Sequence, residues 1–321
     1  DAAAMSSAAP VICIVGPTAS GKSELAQRLA VALDGEIVSA DSMQIYRGMD
    51  IGTGKVLPSE RRVPHFGLDL VDPGAPYSAA LFQPYARACF ADIRSRGHVP
   101  FLVGGTGLYV RAAIDDYRFP EGEQVDNPVR EHYTRIAEEQ GSDVLWRLLE
   151  QRDPASAAVI HPHNVRRVVR AFELLEEGKS YAAQKEALQH IAPYEPAVFI
   201  GLAVDANLLR ARIDRRVDAM VEEGLVDEVT TLLQEGFREG LTAGQAIGYK
   251  EIVAALDGQC TLAEAIDAIK LATRRYAKRQ RTWFRKDTRI RWIDANGDED
   301  AMTAAALDVL RQEGVTDPVC E

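Results

Sequence analysis

A glycine-rich segment near the start of the chain has the residue types and spacing of a phosphate-binding loop. It fits G-x-x-x-x-G-K-[ST], follows an apolar run and precedes an amphipathic helical pattern. The glycines let the backbone curl, so that successive N–H groups and the helix N-terminus point at oxyanions, while the lysine adds positive charge and the serine hydroxyl suits Mg²⁺. We predict that the loop consists of Gly16, Pro17, Thr18, Ala19, Ser20, Gly21, Lys22 and Ser23.

Two polar side chains are candidates for chemistry beside this loop. Asp41 follows the second apolar run, in SADSMQIY, where a carboxylate that faces the phosphate loop could act as a general base. A turn or helix-capping aspartate is the structural alternative. Gln44 could hydrogen-bond a base edge through its amide. Thr106 offers a hydroxyl after the apolar run VPFLV.

The glycine run around Thr106 bears on the type of reaction. A triphosphatase of this class would carry a Mg²⁺-binding Asp after such a strand, whereas this chain has Gly-Gly-Thr-Gly there. The missing acid argues against an ordinary ATPase and leaves a small-molecule kinase open. Room for a group that approaches the backbone, or a tight structural turn, would explain Gly104, Gly105 and Gly107.

A helical segment later in the chain, RARIDRRVDAMVEEGL, carries two arginines four residues apart on the face opposite its apolar stripe. Guanidinium groups at that spacing could clamp a pyrophosphate, which would give Arg212 and Arg216 a binding role. They could equally lie on a solvated face and pair with Asp218 and Glu222. The sequence leaves both interpretations open.

One strongly basic strip interrupts an otherwise acidic chain. The net charge is −11, yet Lys270–Arg291 holds ten Lys and Arg residues and one acid, Asp287. Such a local concentration of positive charge is typical of nucleic-acid binding, and the aromatic rings of Tyr276, Trp283 and Phe284 suit stacking on unpaired bases. A solvated basic helix that pairs with the acidic remainder is the alternative. As a helix, one face would carry Arg274, Lys278, Arg281 and Arg285.

These residues need an α/β scaffold to bring them together. The first third of the chain alternates strand-like runs with helical patterns, which predicts a parallel sheet with the site at the strand carboxyl ends. Residues 116–196 show helical patterns and no convincing strand, which predicts an all-helical insertion. We expect a P-loop NTPase-like parallel sheet flanked by helices, with a core formed by 5–115 and 197–295, and a C-terminal helix and frayed tail at 296–321. The predicted strands are Val11–Val15, Glu36–Ser39, Val99–Val103, Val198–Val204 and Arg289–Ile293, and the predicted helices are Ser23–Leu33, Ser78–Arg96, Val129–Gln140, Val144–Gln151, Val165–Glu177 and Leu208–Glu223.

Composition limits the class of protein. At 321 residues, with 46% apolar and 26% charged residues, the chain fits a globular protein. No apolar run approaches the roughly 20 residues of a membrane span, and the start lacks the blocks of a signal peptide. Four dispersed cysteines indicate neither a disulfide framework nor a zinc site. We expect a cytoplasmic protein with no membrane partner.

Taken together, the motifs resemble the bacterial tRNA dimethylallyltransferase family, also called tRNA isopentenyltransferases. The resemblance covers residues 11–291 and lies in GPTASGKS, SADSMQIYRGMDIGTGK, PHFGLDLVDP, LVGGTGLY, RRVVRAFEL, AIGYKE and KRQRTWFR, in that order. It implies transfer of a dimethylallyl group to the exocyclic N6 amine of the adenosine 3′-adjacent to the anticodon in certain tRNAs, with release of pyrophosphate. The phosphate loop, with Arg212 and Arg216, would then hold dimethylallyl diphosphate, with Mg²⁺ at Ser23.

By this resemblance Asp41 would hydrogen-bond the adenine amine and take its proton, and Thr106 would position the same amine. The adenine would be flipped out of its stack, and the insertion would bind the anticodon stem-loop. We also expect a monomer. The tRNA contacts would come from Asp41, Ser42, Met43, Gln44, Thr106, Arg130, Arg166, Arg167, Arg170, Gln245, Gly248, Tyr249, Lys250, Lys278, Arg279, Gln280, Arg281, Thr282, Trp283, Phe284 and Arg285.

The chain departs from the family pattern at two expected RNA contacts. It reads His161-Pro162-His163-Asn164 where the family usually reads His-Pro-Asn-Asp, and Gln245 stands where an Arg is usual. Both departures bear on RNA affinity or substrate range more than on the chemistry. We interpret the histidine pair as a surface or nucleic-acid contact rather than a metal site.

Three other functions share parts of this pattern. A small-molecule kinase would have the phosphate loop, the Gly-Gly turn and an Asp after the second strand, but would not need the basic strip or the insertion. A non-catalytic RNA-binding module would not need an intact Lys22, Ser23, Asp41 and Thr106. An adenylate isopentenyltransferase, which prenylates free AMP or ADP, would not need Lys278–Arg285.

Overall fold

The computed structural model describes residues 9–119 and 127–315, and the chain divides into two compact units. The larger unit is formed by the chain up to Asp115 and from Tyr194 onward, and the smaller unit by Asp116–Pro193. Residues 120–126 of the predicted insertion and 316–321 of the predicted frayed tail lie outside the described residues. Among the described helices, none is long and apolar enough to cross a membrane.

The larger unit is built on a six-stranded sheet in which every neighbouring pair of strands runs parallel. Its strands are β1 (Val11–Val15), β2 (Gly35–Ser39), β3 (His65–Phe66), β4 (Val99–Gly104), β5 (Ala197–Ala203) and β6 (Ile290–Asp294). Their order across the sheet is β3-β2-β4-β1-β5-β6. The central strand β1 is fully buried, and its Ile14 lies opposite Val103 on one side and Ile200 on the other.

Helices connect and flank these strands. Numbered along the whole chain, the described helices of the larger unit are α1 (Lys22–Leu33), α2 (Ala79–Ser95), α3 (Gly107–Ile114), α9 (Ala206–Glu223), α10 (Leu225–Gln234), α11 (Arg238–Thr242), α12 (Tyr249–Leu256), α13 (Leu262–Arg285) and α14 (Glu299–Gln312). One hydrophobic cluster joins the sheet to helices and contains Ile12, Leu29, Ile213 and Ile269. The predicted parallel sheet flanked by helices is confirmed.

Local sequence signals account for where several helices begin. Ser78, where the predicted helix starts, is the N-cap: it accepts a hydrogen bond from the Leu81 N–H at 3.3 Å, and α2 begins at the next residue. Thr261 and Glu264 form a reciprocal capping box at the start of α13. These caps satisfy N–H groups that have no partner within the helix, so they fix the first turn of each helix.

The smaller unit is helical in its described part. Its helices are α4 (Pro128–Gln140), α5 (Ser142–Arg152), α6 (Pro154–Ala158), α7 (Val165–Glu176) and α8 (Tyr181–Gln189). Its core includes Leu145, Leu149 and a stacked pair of rings, Tyr133 and Phe172, whose centroids are 4.0 Å apart.

The prediction for this unit missed two short helices, because their sequences resemble separators. The sequence RDP is typical of a break between helices, but here Asp153 caps α6 and proline occupies its first turn, which proline tolerates. Helix α8 follows EEGKS, in which Ser180 is the N-cap. Both segments are too short for an apolar periodicity to reveal them.

Candidate active site

A cavity of about 360 Å³ opens at the carboxyl ends of β1, β2 and β4 in the larger unit. The phosphate loop follows β1, Asp41 follows β2 and Thr106 follows β4. Because the carboxyl ends of parallel strands meet at one edge of a sheet, all three segments line the same cavity. The predicted site residues that line it are Thr18, Lys22, Ser23, Asp41, Ser42, Met43, Gln44, Thr106, Arg216, Gln245, Gly248, Arg279 and Gln280.

The phosphate loop has the curled backbone that its glycines predict. Gly21 has φ 91° and Ala19 has φ 62°, so the chain passes twice through the left-handed region before α1 starts. The Ser20 N–H donates to the Pro17 carbonyl at 3.2 Å, which closes the turn. The Lys22 ammonium also donates to Pro17, at 3.3 Å. The first N–H groups of α1 have no acceptor within the helix, so they are free to bind an anion.

Gln280, from α13, joins the phosphate loop to the loop after β4. Its Oε1 accepts from the Thr18 N–H and its Nε2 donates to the Gly105 carbonyl, both at 3.0 Å. Gln280 is 6% exposed. The amide therefore holds two site loops together, and the predicted contact of Gln280 with tRNA stays a prediction.

The positive charges at the cavity lie close to one another. Burial and repulsion from Arg216 lower the pKa of Lys22 to about 8, although the Asp41 carboxylate favours the charged form. Burial also lowers the pKa of Arg216 from its usual range, against the attraction of Asp41 and Glu223. Among the described residues neither cation forms a salt bridge. Two cations gathered without a paired carboxylate make the cavity suited to a multiply charged anion.

Asp41 and Thr106 lie on either side of one short turn. The Asp41 Oδ1 accepts from the Met43 N–H at 2.8 Å and the Gln44 N–H at 3.3 Å, as the turn-forming alternative predicted. Both hydrogen bonds fall on Oδ1, so Oδ2 keeps its capacity to accept a proton. The Thr106 Oγ1 accepts from the Ser42 N–H at 3.1 Å. The structural role of Asp41 is thus compatible with a role as base.

The glycines around Thr106 allow close approach of the protein itself rather than of a ligand. A Cβ at Gly104 would lie 2.1 Å from the Ala40 carbonyl oxygen. A Cβ at Gly107 would lie 2.0 Å from the indole of Trp283. These glycines therefore make room for groups that approach the backbone, as one of the two interpretations predicted, and the groups that approach Gly104 and Gly107 belong to the protein itself.

The two arginines of α9 line different cavities. Arg216 lines the main cavity, whereas Arg212 lines a separate cleft of about 570 Å³ on the other side of the phosphate loop. That cleft is also bounded by Ala19, Ser20 and Gly21. The predicted pairing with Asp218 is absent too, since Asp218 pairs with Lys270 at 2.8 Å. Each arginine therefore lines a cavity that part of the phosphate loop bounds, and a joint pyrophosphate clamp by Arg212 and Arg216 stays a prediction.

The AIGYKE segment contributes mainly structure. Tyr249 is fully buried and its hydroxyl donates to Glu228 at 2.7 Å, so the prediction that it contacts tRNA directly is wrong for this conformation. Gly248 has φ 95° and is the N-cap of α12. Gln245 is exposed at the cavity, and the Lys250 ammonium donates to the Gly244 carbonyl at 3.5 Å. Of these residues, Gln245 is therefore the one that both reaches the cavity and lies exposed.

The basic strip is divided into a paired and an unpaired part. Near the middle of α13, Lys270 and Arg274 form salt bridges with Asp218 and Asp214 of α9, as the solvated-helix alternative predicted. From Lys278 to the end of the helix, the structure gives the described cations no salt bridge. The predicted face of the helix lines a shallow groove of about 290 Å³ formed by α9 and α13, with Arg274, Lys278, Arg281, Thr282 and Arg285 at its wall.

The aromatic residues of the strip differ in exposure. Trp283 is 43% exposed, so one part of its indole can meet a base while another part packs on Gly107. Phe284 is 3% exposed and belongs to the core, so its predicted contact with tRNA is wrong for this conformation.

In the smaller unit, two of the four predicted arginines bind a buried acid. Arg130 contacts the Glu173 carboxylate at 2.6 Å and Arg170 contacts it at 2.9 Å. Burial pushes the pKa of Glu173 up, but the hydrogen bonds from both arginines hold it below its usual value. Arg166 and Arg167 are exposed and bring no such pairing. The two pairs of arginines therefore differ in what they can offer to a ligand.

The histidine pair of the smaller unit is exposed, with ring centroids 5.2 Å apart. Within residues 9–119 and 127–315 no group of three or more His, Cys, Asp or Glu side chains could hold a metal ion. The interpretation of His161 and His163 as a surface contact stays a prediction.

Two features of the cavity were not predicted as parts of the site, although Tyr276 was predicted as a ring that could stack on a base. Tyr276 lines the cavity close to Thr106 and Gln280, and burial raises the pKa of its phenol. Its position one helical turn before Gln280 was the available signal. The loop Gly52–Gly54 also lines the cavity, and a Cβ at Gly54 would lie 1.7 Å from an Arg216 nitrogen. The DIGTGK motif belongs to a segment that resembles the family, but its sequence does not indicate which side chains its glycines contact.

Two family models match the chain. One, described as IPP transferase, covers residues 44–287, and the other, described as isopentenyl transferase, covers residues 9–63. A tRNA dimethylallyltransferase from Carboxydothermus hydrogenoformans is 47% identical over 95% of this chain and 97% of its own length. The resemblance found in the motifs therefore extends along nearly the whole chain.

Solved structures give the same result. A tRNA isopentenylpyrophosphate transferase from Bacillus halodurans is 41% identical, with a TM-score of 0.67. The match covers 95% of this chain and 98% of that chain. A eukaryotic dimethylallyltransferase, whose structures are described as snapshots of the enzyme acting on tRNA, is 29% identical, with a TM-score of 0.77. The match covers 96% of this chain and 80% of that chain. With its motifs in the family order and its phosphate loop, Asp41 and Thr106 gathered at one cavity, this chain belongs to the tRNA dimethylallyltransferase family.

Proposed function

We propose that this protein transfers the dimethylallyl group of dimethylallyl diphosphate to the N6 amine of the adenosine 3′-adjacent to the anticodon in certain tRNAs. The observation that carries the proposal is a single cavity lined both by two cations without a salt bridge, Lys22 and Arg216, and by a carboxylate and a hydroxyl, Asp41 and Thr106. A diphosphate ester and an amine could meet in such a cavity with the reacting carbon between them.

The phosphate loop stabilises the leaving group in this mechanism. As the carbon–oxygen bond breaks, negative charge grows on the departing pyrophosphate. Lys22, Arg216 and the first N–H groups of α1 are already gathered around the place where that charge develops, so the site needs little reorganisation. In this reaction the diphosphate leaves intact, whereas a triphosphatase transfers the terminal phosphoryl group of a triphosphate. The absence of a Mg²⁺-binding Asp after β4 is consistent with that difference.

We propose that Mg²⁺ assists, held by the Ser23 hydroxyl. Ser23 is exposed at the cavity mouth, and the described residues hold no cluster of acids that would form a metal cage by itself. Mg²⁺ commonly keeps several waters and takes substrate phosphate oxygens as ligands, so one hydroxyl suffices from the protein. When bound, the ion neutralises charge on the diphosphate.

Asp41 acts as the general base in the proposal. The N6 amine attacks the allylic carbon, the carbon–oxygen bond to the diphosphate breaks, and the surplus proton of the amine passes to Asp41. The Thr106 hydroxyl, with Tyr276 beside it, orients the amine. A positioned base contributes about 10²–10⁴ to the rate.

We propose that tRNA binds through the unpaired end of the basic strip and the exposed arginines of the smaller unit, Arg166 and Arg167. Phosphate contacts from Lys278, Arg281 and Arg285 would give affinity, and Trp283 would stack on an unpaired base. The smaller unit would bind the anticodon stem-loop. The adenosine would be flipped out of its stack into the cavity, since its amine cannot reach the reacting groups while it is stacked. We further propose that the protein acts as a monomer in the cytoplasm, where its tRNA substrates are found.

The proposal is tested by chemistry on the product. The full chain is incubated with unmodified tRNA, dimethylallyl diphosphate and Mg²⁺, and the nucleosides are digested and weighed. We expect a mass gain of one prenyl unit on adenosine, and no gain on free AMP supplied in place of tRNA. Prenylated AMP with unmodified tRNA would instead assign the chain an adenylate isopentenyltransferase activity.

The role of Asp41 is tested with Asp41→Asn, which keeps the Oδ1 acceptor of the turn and removes the base. We expect the single-turnover transfer rate to fall by about 10²–10⁴, while dimethylallyl diphosphate binds as before. Asp116→Asn, which removes an acid away from the cavity, is the matched control. A transfer rate within threefold of the unmodified chain would show that Asp41 is not the base.

A further inference from the structure

Glu228 is an acid outside the cavity that holds part of its wall. Its Oε1 accepts from the N–H groups of Asp50 and Ile51 at 3.0 and 2.9 Å, and its Oε2 accepts from the Gly52 N–H at 3.2 Å. The buried Tyr249 hydroxyl donates to the same Oε2 at 2.7 Å. One carboxylate thus receives four hydrogen bonds, and three of them come from consecutive residues of a single loop.

The loop held by Glu228 reaches the reacting groups from two directions. Gly52, Thr53 and Gly54 line the cavity. The backbone at Gly54 lies so close to the Arg216 guanidinium that any Cβ there would displace it. The Thr53 carbonyl accepts from the Gln44 amide at 3.1 Å, and Gln44 belongs to the turn capped by Asp41. The loop is therefore a shared support for the diphosphate side and the amine side.

Further contacts hold the same loop in place and bring it against α12. Lys55, at the end of the loop, is buried and bonds Asp50 and Asp69. A Cβ at Gly52 would lie 2.6 Å from the Tyr249 ring, so the loop rests directly on α12. Without the Glu228 carboxylate, three loop N–H groups and the Tyr249 hydroxyl would lose their acceptor.

We propose that Glu228 is a positioning residue of the transfer reaction, whose carboxylate fixes the Asp50–Gly54 loop so that Arg216 is held in the cavity facing Lys22. The inference rests on the proposed function, because it names dimethylallyl diphosphate as the ligand that Arg216 binds. It predicts that loss of the carboxylate weakens diphosphate binding through Arg216, although Glu228 never touches the substrate.

The test is a double-mutant cycle on binding, which needs no turnover. Dimethylallyl diphosphate with Mg²⁺ is titrated by calorimetry into the full chain, Glu228→Gln, Arg216→Gln and the double variant. Glutamine keeps the shape of the side chain but turns one acceptor into a donor that faces N–H groups. We expect the Kd to rise about tenfold in Glu228→Gln, and the double variant to bind no more weakly than Arg216→Gln, within about twofold. The matched control, Glu222→Gln on an exposed face of α9, should leave the Kd unchanged.

Each outcome decides the inference. A Kd of Glu228→Gln equal to that of the unmodified chain, or fully additive effects in the double variant, would overturn it. If Glu228→Gln does not fold, Tyr249→Phe decides, since it keeps the buried ring and removes one hydrogen bond, and a rise in Kd of about threefold is expected against no change if the inference is wrong. Absence of binding by the unmodified chain and by Glu222→Gln alike would overturn the proposed function itself and is distinct from a loss confined to Glu228→Gln.

Discussion

Two clusters of basic side chains, one in each unit, differ in whether their cations form salt bridges with an acid. In the smaller unit, Arg130 and Arg170 converge on the carboxylate of Glu173, which is almost fully buried. In the cavity of the larger unit, Lys22 and Arg216 approach each other, and Asp41 attracts both without a salt bridge to either among the described residues. The cations of the first cluster form salt bridges to a shared carboxylate, and those of the second do not.

The difference separates cations that stabilise the fold from cations that await a ligand. Removing one partner of a buried ion pair leaves a charge without compensation, so the smaller unit depends on its pairing. Cations that are buried together without a salt bridge cost folding free energy, as the lowered pKa of Lys22 indicates, and an anion that binds between them offsets that cost. Net charge alone would not have distinguished the two clusters.

The largest expected effect comes from removing the unpaired charge of the cavity with Lys22→Met, which roughly preserves side-chain length. We expect kcat for transfer to fall by about 10²–10³, because a preorganised cation at the leaving group is lost. Stability should stay the same or rise, since the charge is unfavourable in the free protein. Single-turnover rates and urea unfolding measure the two effects. If Lys22→Met loses both stability and transfer, Lys22 also stabilises the fold, and the two clusters do not differ as described.

The paired cluster should show the reverse behaviour. Glu173→Gln removes the carboxylate from two arginines and leaves buried hydrogen-bonding groups mismatched, so we expect the free energy of unfolding to fall by about 1–3 kcal/mol. Transfer at saturating tRNA should remain within about twofold. Urea unfolding is compared with that of Glu139→Gln, which changes an exposed acid of α4. Equal stability of the two variants would show that the Glu173 cluster is not structural.

Much of the cavity was predictable because it is specified by local sequence. The phosphate loop is a contiguous motif whose backbone curl follows from its own glycines, and Asp41 and Thr106 each lie two residues after the end of a strand. Parallel strands bring their carboxyl ends to one edge, so these segments meet whatever the rest of the chain does. The sheet was predictable for the same reason, since buried parallel strands are continuous apolar runs.

The errors arose where burial depends on distant packing. In α13 a run of polar and basic residues predicted an exposed surface, yet Gln280 and Phe284 face the core because the helix packs against the site loops. An interval of four residues does determine that Arg212 and Arg216 share a helix face, but not which cavity each reaches. Glu228 resembles any surface acid on an amphipathic helix, and only the tertiary structure shows the loop N–H groups that it accepts.

The smallest expected effect concerns the pH dependence that an unpaired lysine gives to binding. The pKa of Lys22 is about 8 in the free protein, and a bound diphosphate would raise it, so the complex holds more protons than the free protein above that pH. Raising the pH must then weaken binding, and we expect the Kd for dimethylallyl diphosphate to increase about tenfold from pH 7 to pH 9. Calorimetry in buffers of different ionisation enthalpy would also show proton uptake on binding.

The variant Lys22→Arg separates this effect from other titrations. Arginine stays protonated throughout the range, so its Kd should be nearly independent of pH between 7 and 9 whatever its absolute affinity. The paired cluster of the smaller unit offers no titration there, because the carboxylate of Glu173 is already ionised well below pH 7. A slope in Lys22→Arg as steep as that in the unmodified chain would assign the pH dependence to another group, and a flat profile in the unmodified chain would show that Lys22 remains fully charged without its ligand.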